Sequence, residues 1–179
     1  MSLSLESMLQ FSIILPLLAT IGIVATGHKP NLREAVTITT SLVVLYFVIS
    51  LYQGLQQGES ISVYWGELLP GLKISFSIEP LGMLFALIAS FLWLITTVYA
   101  IGYMRGHHEQ NQTRFYSCFA IAISSVMGIA FADNLFTLFI FYEVLTLSTY
   151  PLVTHAGTED AKKGGRVYLG ILLSTSILF

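Results

Sequence analysis

The twenty residues from Asn134 to Val153, NLFTLFIFYEVLTLSTYPLV, carry a single charge, Glu143, near their middle. At about 1.5 Å per helical residue, they reach across the roughly 30 Å hydrocarbon core of a bilayer. Backbone N–H and C=O groups in hydrocarbon must be bonded within the chain, so a run of this kind can only be an α-helix. An acid at its centre costs roughly 2.5–3.5 kcal/mol on insertion scales. A side chain kept at that depth faces protein or water, which makes Glu143 the first functional candidate of the chain.

The remainder of the sequence agrees with a membrane setting. The chain is 55% hydrophobic and only 10% charged, against about 25% charge in soluble domains. The fold class this predicts is an all-α polytopic membrane protein. Five complete spans are expected, at Leu9–Gly27, Ala35–Tyr52, Pro80–Tyr103, Phe115–Ala132 and Asn134–Val153. Pro16 is expected to kink the first of them. Pro80, preceded by Glu79, suits the start of the third. A sixth apolar run, Val167 to Phe179, holds thirteen residues and is too short to cross. It reads as the start of a further helix, so the sequence is expected to be the front part of a longer bundle or to be completed by a second polypeptide.

Between the second and third spans, residues 53–77 form the longest polar connection. Its segment SISVYWGELLPGLKISFSIE alternates in polarity around Pro70-Gly71, which predicts a small surface hairpin. Tyr64 and Trp65 there suit an interfacial aromatic belt. Asp133-Asn134 makes a very tight turn before the fifth span, with either side chain able to cap it. The organisation expected is residues 1–110 as three helices with an external hairpin, then residues 111–179 as the start of a second unit.

The basic residues choose an orientation. Of the eight Lys and Arg, Lys29, Arg33, Arg105, Arg114, Lys162, Lys163 and Arg166 follow odd-numbered spans, and only Lys73 lies on the other side. By the positive-inside rule, loops 28–34, 104–114 and 154–166 are cytoplasmic and the N-terminus is outside. A multi-pass protein of the cell (inner) membrane follows. The same bias makes Lys162, Lys163 and Arg166 topology signals rather than catalytic groups.

At about 100° per residue, Thr146, Tyr150 and Thr154 follow Glu143 along one side of the helix, with Tyr142 beside the acid. In the other direction the same side shows Ile140, Phe139 and Phe136. This spacing predicts a proton site wetted from one membrane face along a polar track, with an apolar plug beyond. Pro151 would free the Leu147 carbonyl within the wet half. The competing reading is a neutral Glu143 bonded to a neighbouring helix. A carboxyl in hydrocarbon favours its neutral form and a nearby cation favours the carboxylate, so moving a cation would capture or release a proton.

Other chemistries find little to work with. The single cysteine, Cys118, cannot form an internal disulfide, a Cys-ligated iron–sulfur cluster or a CxxCH haem site. It reads as an inert thiol in an apolar run. Gly164-Gly165 lacks the spacing of a phosphate loop. His107-His108 with Glu109 is a poor metal site, because adjacent loop residues seldom supply one alone. No cofactor and no nucleic-acid partner is expected; the partners expected are lipid and other integral membrane subunits.

Two segments bring a family into view: ISFSIEPLGMLFALIASFLWLITTVYAIGYM and RFYSCFAIAISSVMGIAFADNLFTLFIFYEVLTLSTYPLV. From about Ile74 to Val153 the chain resembles the N-terminal part of the antiporter-like subunits. These are shared by respiratory complex I, Mrp-type sodium/proton antiporters and membrane-bound hydrogenases. The resemblance implies a bundle of roughly fourteen helices with two inverted five-helix repeats packed face to face. It implies that residues 111–179 open the first proton-translocating repeat, and that Glu143 is the acid required for proton movement. The family pairs that acid with a lysine on the seventh helix and continues through a row of lysine, histidine and a further acid or lysine. None of those later positions lies within this sequence. The function expected is a proton-translocating subunit of a multisubunit complex, first a cation/proton antiporter, alternatively a complex I or hydrogenase subunit that pumps protons without a catalytic site of its own. A truncated structural anchor is the expectation from a different class.

Overall fold

The computed structural model describes residues 3–178; Phe179, the last residue of the sixth apolar run, lies outside them. Six helices and one hairpin follow in order: α1 Leu5–Ala25, α2 Pro30–Gln56, β1 Ser62–Leu69, β2 Leu72–Ser77, α3 Pro80–Gly106, α4 Gln112–Ala130, α5 Leu135–Val153 and α6 Glu159–Leu178. The first five helices are long and apolar enough to cross a membrane. The protein is thus a polytopic, largely α-helical membrane protein. Large apolar side chains such as Ile21, Leu81, Tyr99 and Leu135 stand on its outer surface, as lipid-facing positions require.

α1 continues through Pro16 as one helix. α2 starts at Pro30, several residues earlier than the hydropathy pattern predicts, and takes in Arg33 and Glu34 as buried members of its first turns. α6 likewise starts within the predicted polar loop. Its first two turns carry Glu159, Asp160, Lys162, Lys163 and Arg166, because a helix satisfies its backbone whatever the polarity of its exposed side chains.

α4 is the centre of the arrangement: it packs on α1, α3 and α5, while α6 touches α5 at the edge. A continuous core runs through Leu9, Ile13, Val48, Trp93, Met127 and Phe131. The α3–α4 approach is backbone to backbone, since a Cβ on Gly82 would stand 2.0 Å from the Ala130 carbonyl oxygen.

The predicted hairpin forms, with β1 and β2 antiparallel and Gly71 at φ +89° in the Pro70-Gly71 turn. It does more than decorate the surface. The Ser77 N–H donates to the Phe131 carbonyl at 2.9 Å and the Asp133 N–H donates to the Ser75 carbonyl at 3.1 Å. The hairpin thereby holds the α4–α5 turn. Trp65, Phe76 and Phe141 add an aromatic column, with ring centroids 4.7 and 5.6 Å apart in successive edge-on pairs. Trp65, expected as an interfacial aromatic, packs the hairpin against α5.

Of the two capping candidates, Asn134 takes the role: its Oδ1 accepts from the Thr137 N–H at 2.8 Å. Its Nδ2 donates to the Lys73 carbonyl and to Ser75 Oγ, and Asp133 accepts from the Ser75 hydroxyl instead. Asn134→Ala is expected to destabilise the fold by at least about 1 kcal/mol, read as a lowered thermal midpoint in detergent, with Asn134→Asp milder because the cap acceptor survives.

Candidate functional site

α5 has an inverted character that positions Glu143. Its fully buried residues are Thr137, Thr146 and Ser148, all hydroxyls. Leu135, Leu138, Phe139, Val144, Leu147 and Val153 are exposed. Two of these hydroxyls are satisfied there, one by a local acceptor and one by the hairpin. Ser148 donates to the Leu145 carbonyl at 2.9 Å, and Thr137 Oγ1 accepts from the Ser75 N–H at 3.2 Å. The apolar side is left for lipid or for neighbouring protein.

Glu143 lies half-buried in this helix. One carboxyl oxygen, Oε1, is shielded from solvent and has no hydrogen-bond partner among the described residues. A buried polar atom in that condition costs on the order of 1–3 kcal/mol unless a proton, water or another chain meets it. No Lys or Arg is paired with it; the ion pairs of the described residues are Arg33–Glu34, Arg105–Glu34, His155–Glu109 and Lys162–Glu159.

The four supporting residues divide between two surroundings. Tyr142 lines a cleft of about 420 Å³ between α5 and α6, with Leu135, Leu138, Phe139, Thr175 and Ser176. Thr146 is 4% exposed, and its carbonyl accepts from the Thr149 hydroxyl at 2.9 Å. Tyr150 and Thr154 close against α6 at Gly165, where a Cβ would lie 3.1 Å from the tyrosine ring and 2.3 Å from Thr154 Cγ2. The Thr154 hydroxyl donates back to the Tyr150 carbonyl at 3.0 Å. So Thr146, Tyr150 and Thr154 follow the acid toward the far end of α5, walled by α6 over the last turn.

Two features escaped the sequence reading. Thr149 and Tyr168 bring their hydroxyls to 3.2 Å across the α5–α6 contact, which nothing in the sequence of either helix announces. A charged cluster also ties α2, α3 and α4 together. Arg105 Nε donates to Glu34 Oε1 at 3.0 Å. Arg33 donates to Gln112 Oε1 at 2.7 Å and Thr113 Oγ1 at 3.2 Å, with its guanidinium 5.1 Å above the Tyr116 ring. Arg33, expected in a loop, is thus a buried strut. The signal available was the adjacency of Arg33 and Glu34, opposite charges at a helix start.

Comparison with known proteins places these observations. A family model described as "NADH-Ubiquinone oxidoreductase (complex I), chain 5 N-terminus" matches residues 70–116. The chain is 29% identical over 63% of its length to NADH-quinone oxidoreductase subunit N of Desulforudis audaxviator, covering 22% of that protein. It is 28% identical over 73% of its length to a putative antiporter subunit mnhA2 of Staphylococcus saprophyticus, covering 16% of it. It is 24% identical over 97% of its length to a putative antiporter subunit mnhD2 of Staphylococcus haemolyticus, covering 34% of it. The chain therefore spans about a third or less of these relatives. In fold it is similar to a chain of the archaeal membrane-bound sulfane sulfur reductase, with a TM-score of 0.68 and 20% identity, covering 82% of this chain and 23% of that one.

Proposed function

We propose that this chain, which belongs with the antiporter-like subunits of membrane complexes and matches their N-terminal portion, loads protons at Glu143 for a multisubunit cation/proton antiporter. The observation that carries the reading is the shielded, unpartnered Glu143 Oε1 on a helix whose buried positions are hydroxyls. An acid so placed can hold a proton while neutral and release it when a cation approaches. That cation would come from outside this chain, because the basic residues here sit at helix ends, in loops and on the hairpin. The mnhD2 antiporter subunit aligns with 97% of the chain, the mnhA2 antiporter subunit with 73%, and the oxidoreductase subunits with 63% and 46%, which favours the antiporter assembly. The orientation that suits this role puts the His155 end of α5 toward the cytoplasm, following the bias of Lys and Arg between alternate loops.

The test is purification of the complex that carries this chain, followed by cation-driven proton movement in sealed vesicles. Small membrane subunits and sodium- or potassium-driven proton exchange support the proposal. Flavin and iron–sulfur subunits, with quinone-dependent pumping, would replace it by the complex I reading, which the family-model description favours. A second check concerns the track. Thr146→Leu is expected to slow transport severalfold and Thr146→Ser to leave it near normal, measured as initial rates of proton uptake. Equal rates in both variants would remove Thr146 from the path.

A further inference from the structure

At the far end of the hydroxyl series, beyond Thr154, the α5–α6 connection buries the ring of His155. The side chain is 16% exposed, and both Nδ1 and Nε2 are shielded from solvent with no hydrogen-bond partner among the described residues. A neutral imidazole carries one donor and one acceptor, and leaving both unmet is unfavourable. The ring is held in place: Phe115 meets it edge-on with centroids 5.7 Å apart, its backbone N–H donates to the Leu152 carbonyl at 3.2 Å, and Arg114 Nη2 donates to its carbonyl at 3.4 Å.

One acid faces it. Glu109, in the α3–α4 connection, brings Oε2 to 4.0 Å from His155 Nε2. Its backbone is fixed by bonds from its own N–H to the Met104 carbonyl at 3.0 Å and from Gln112 Nε2 to its carbonyl at 3.0 Å. The other charged or titratable groups of the surrounding elements are Arg105 at the end of α3, His107 and His108 in the α3–α4 connection, Arg114 on α4, and Glu159, Asp160, Lys162, Lys163 and Arg166 on the opening turns of α6. Neutral, this His–Glu pair leaves two shielded nitrogens unsatisfied. A proton on the imidazole turns the 4.0 Å approach of Nε2 to Glu109 Oε2 into an ion pair, which the neutral ring cannot form.

We propose that His155 and Glu109 form a second proton-binding site, which collects protons at the mouth of the path leading along Thr154, Tyr150 and Thr146 to Glu143. Histidine suits this role because its ordinary titration falls between pH 5 and 8. Twelve positions at helical rise, roughly 18 Å, lead from the acid to the collector, with the track hydroxyls of Thr146, Tyr150 and Thr154 along the way. The direction of transfer rests on the Glu143 reading; the binding of a proton by the pair does not.

The test is pH-difference infrared spectroscopy on the membrane complex that contains this chain, with His155→Gln and Glu109→Gln variants assembled to normal amounts. The expected result is an imidazole band that disappears in His155→Gln. In Glu109→Gln that band should change in frequency, since the ring loses the carboxylate that faces it at 4.0 Å. Proton uptake in His155→Gln should lose its dependence on pH across the histidine range. A band unaffected by His155→Gln, a band identical to the parent's in Glu109→Gln, or a superimposable uptake profile would overturn the proposal. Full transport in Glu143→Gln would instead sink the reading of Glu143, and the infrared result would still stand or fall alone.

Discussion

Glu143→Gln is expected to abolish proton movement by the complex, by at least about a hundredfold in rate, while the chain still assembles. Glutamine keeps the volume and the hydrogen-bonding capacity of the acid but has no proton to exchange. The position is half-buried and its shielded Oε1 meets no partner within the described residues, so the fold of this chain makes no use of the carboxyl that an amide could not serve. Insertion should be eased, because the substitution removes an acid that costs roughly 2.5–3.5 kcal/mol at the membrane centre. The two measurements are the amount of assembled complex and the initial rate of cation-driven proton uptake. Normal assembly with normal uptake would refute the assignment of Glu143. Loss of assembly would turn it into a contact residue, the neighbouring-helix alternative that its spacing left open.

The second large effect is structural. Gly82→Ala is expected to destabilise the bundle by about 3 kcal/mol, the upper part of the range for overpacking. Its new Cβ would stand 2.0 Å from the Ala130 carbonyl oxygen, and a backbone atom cannot step aside as a side-chain tip can. α3 would have to lift from the end of α4. The strain would then reach the α4–α5 turn, because the Ser77 N–H is bonded to the Phe131 carbonyl at 2.9 Å. Gly102→Ala is the control, since no atom lies within 4 Å of its Cβ, and alanine is the better helix former by about 1 kcal/mol. Thermal unfolding in detergent should separate the two variants in opposite directions from the parent. A Gly82→Ala midpoint at or above that of Gly102→Ala would show that the close approach carries no stability.

These expectations show where sequence was legible. The five spans were readable because hydrocarbon forces every apolar run of sufficient length into a helix, whatever it packs against. The hairpin was readable from alternation around Pro70-Gly71, a local signal that the two-residue turn confirms. Asn134 was readable as one of two caps, and the choice between it and Asp133 needed Ser75, 58 and 59 residues away in sequence, to occupy the other side chain. Arg33 was misplaced in a loop because its partners, Gln112 and Thr113, lie 79 and 80 residues further on.

The sequence by itself determined that the chain lives in a membrane, which five runs are long and apolar enough to cross it, and that Glu143 falls near the middle of the fifth. Those facts follow from the transfer free energy of single residues and the fixed rise of a helix, neither of which depends on neighbours. Only the tertiary structure decided that Glu34 would be buried between two arginines, that Tyr150 and Thr154 would close on Gly165, and that His155 would meet Glu109. Each of these is a contact between segments far apart in sequence, and its existence depends on how helices settle against one another rather than on what any one of them contains.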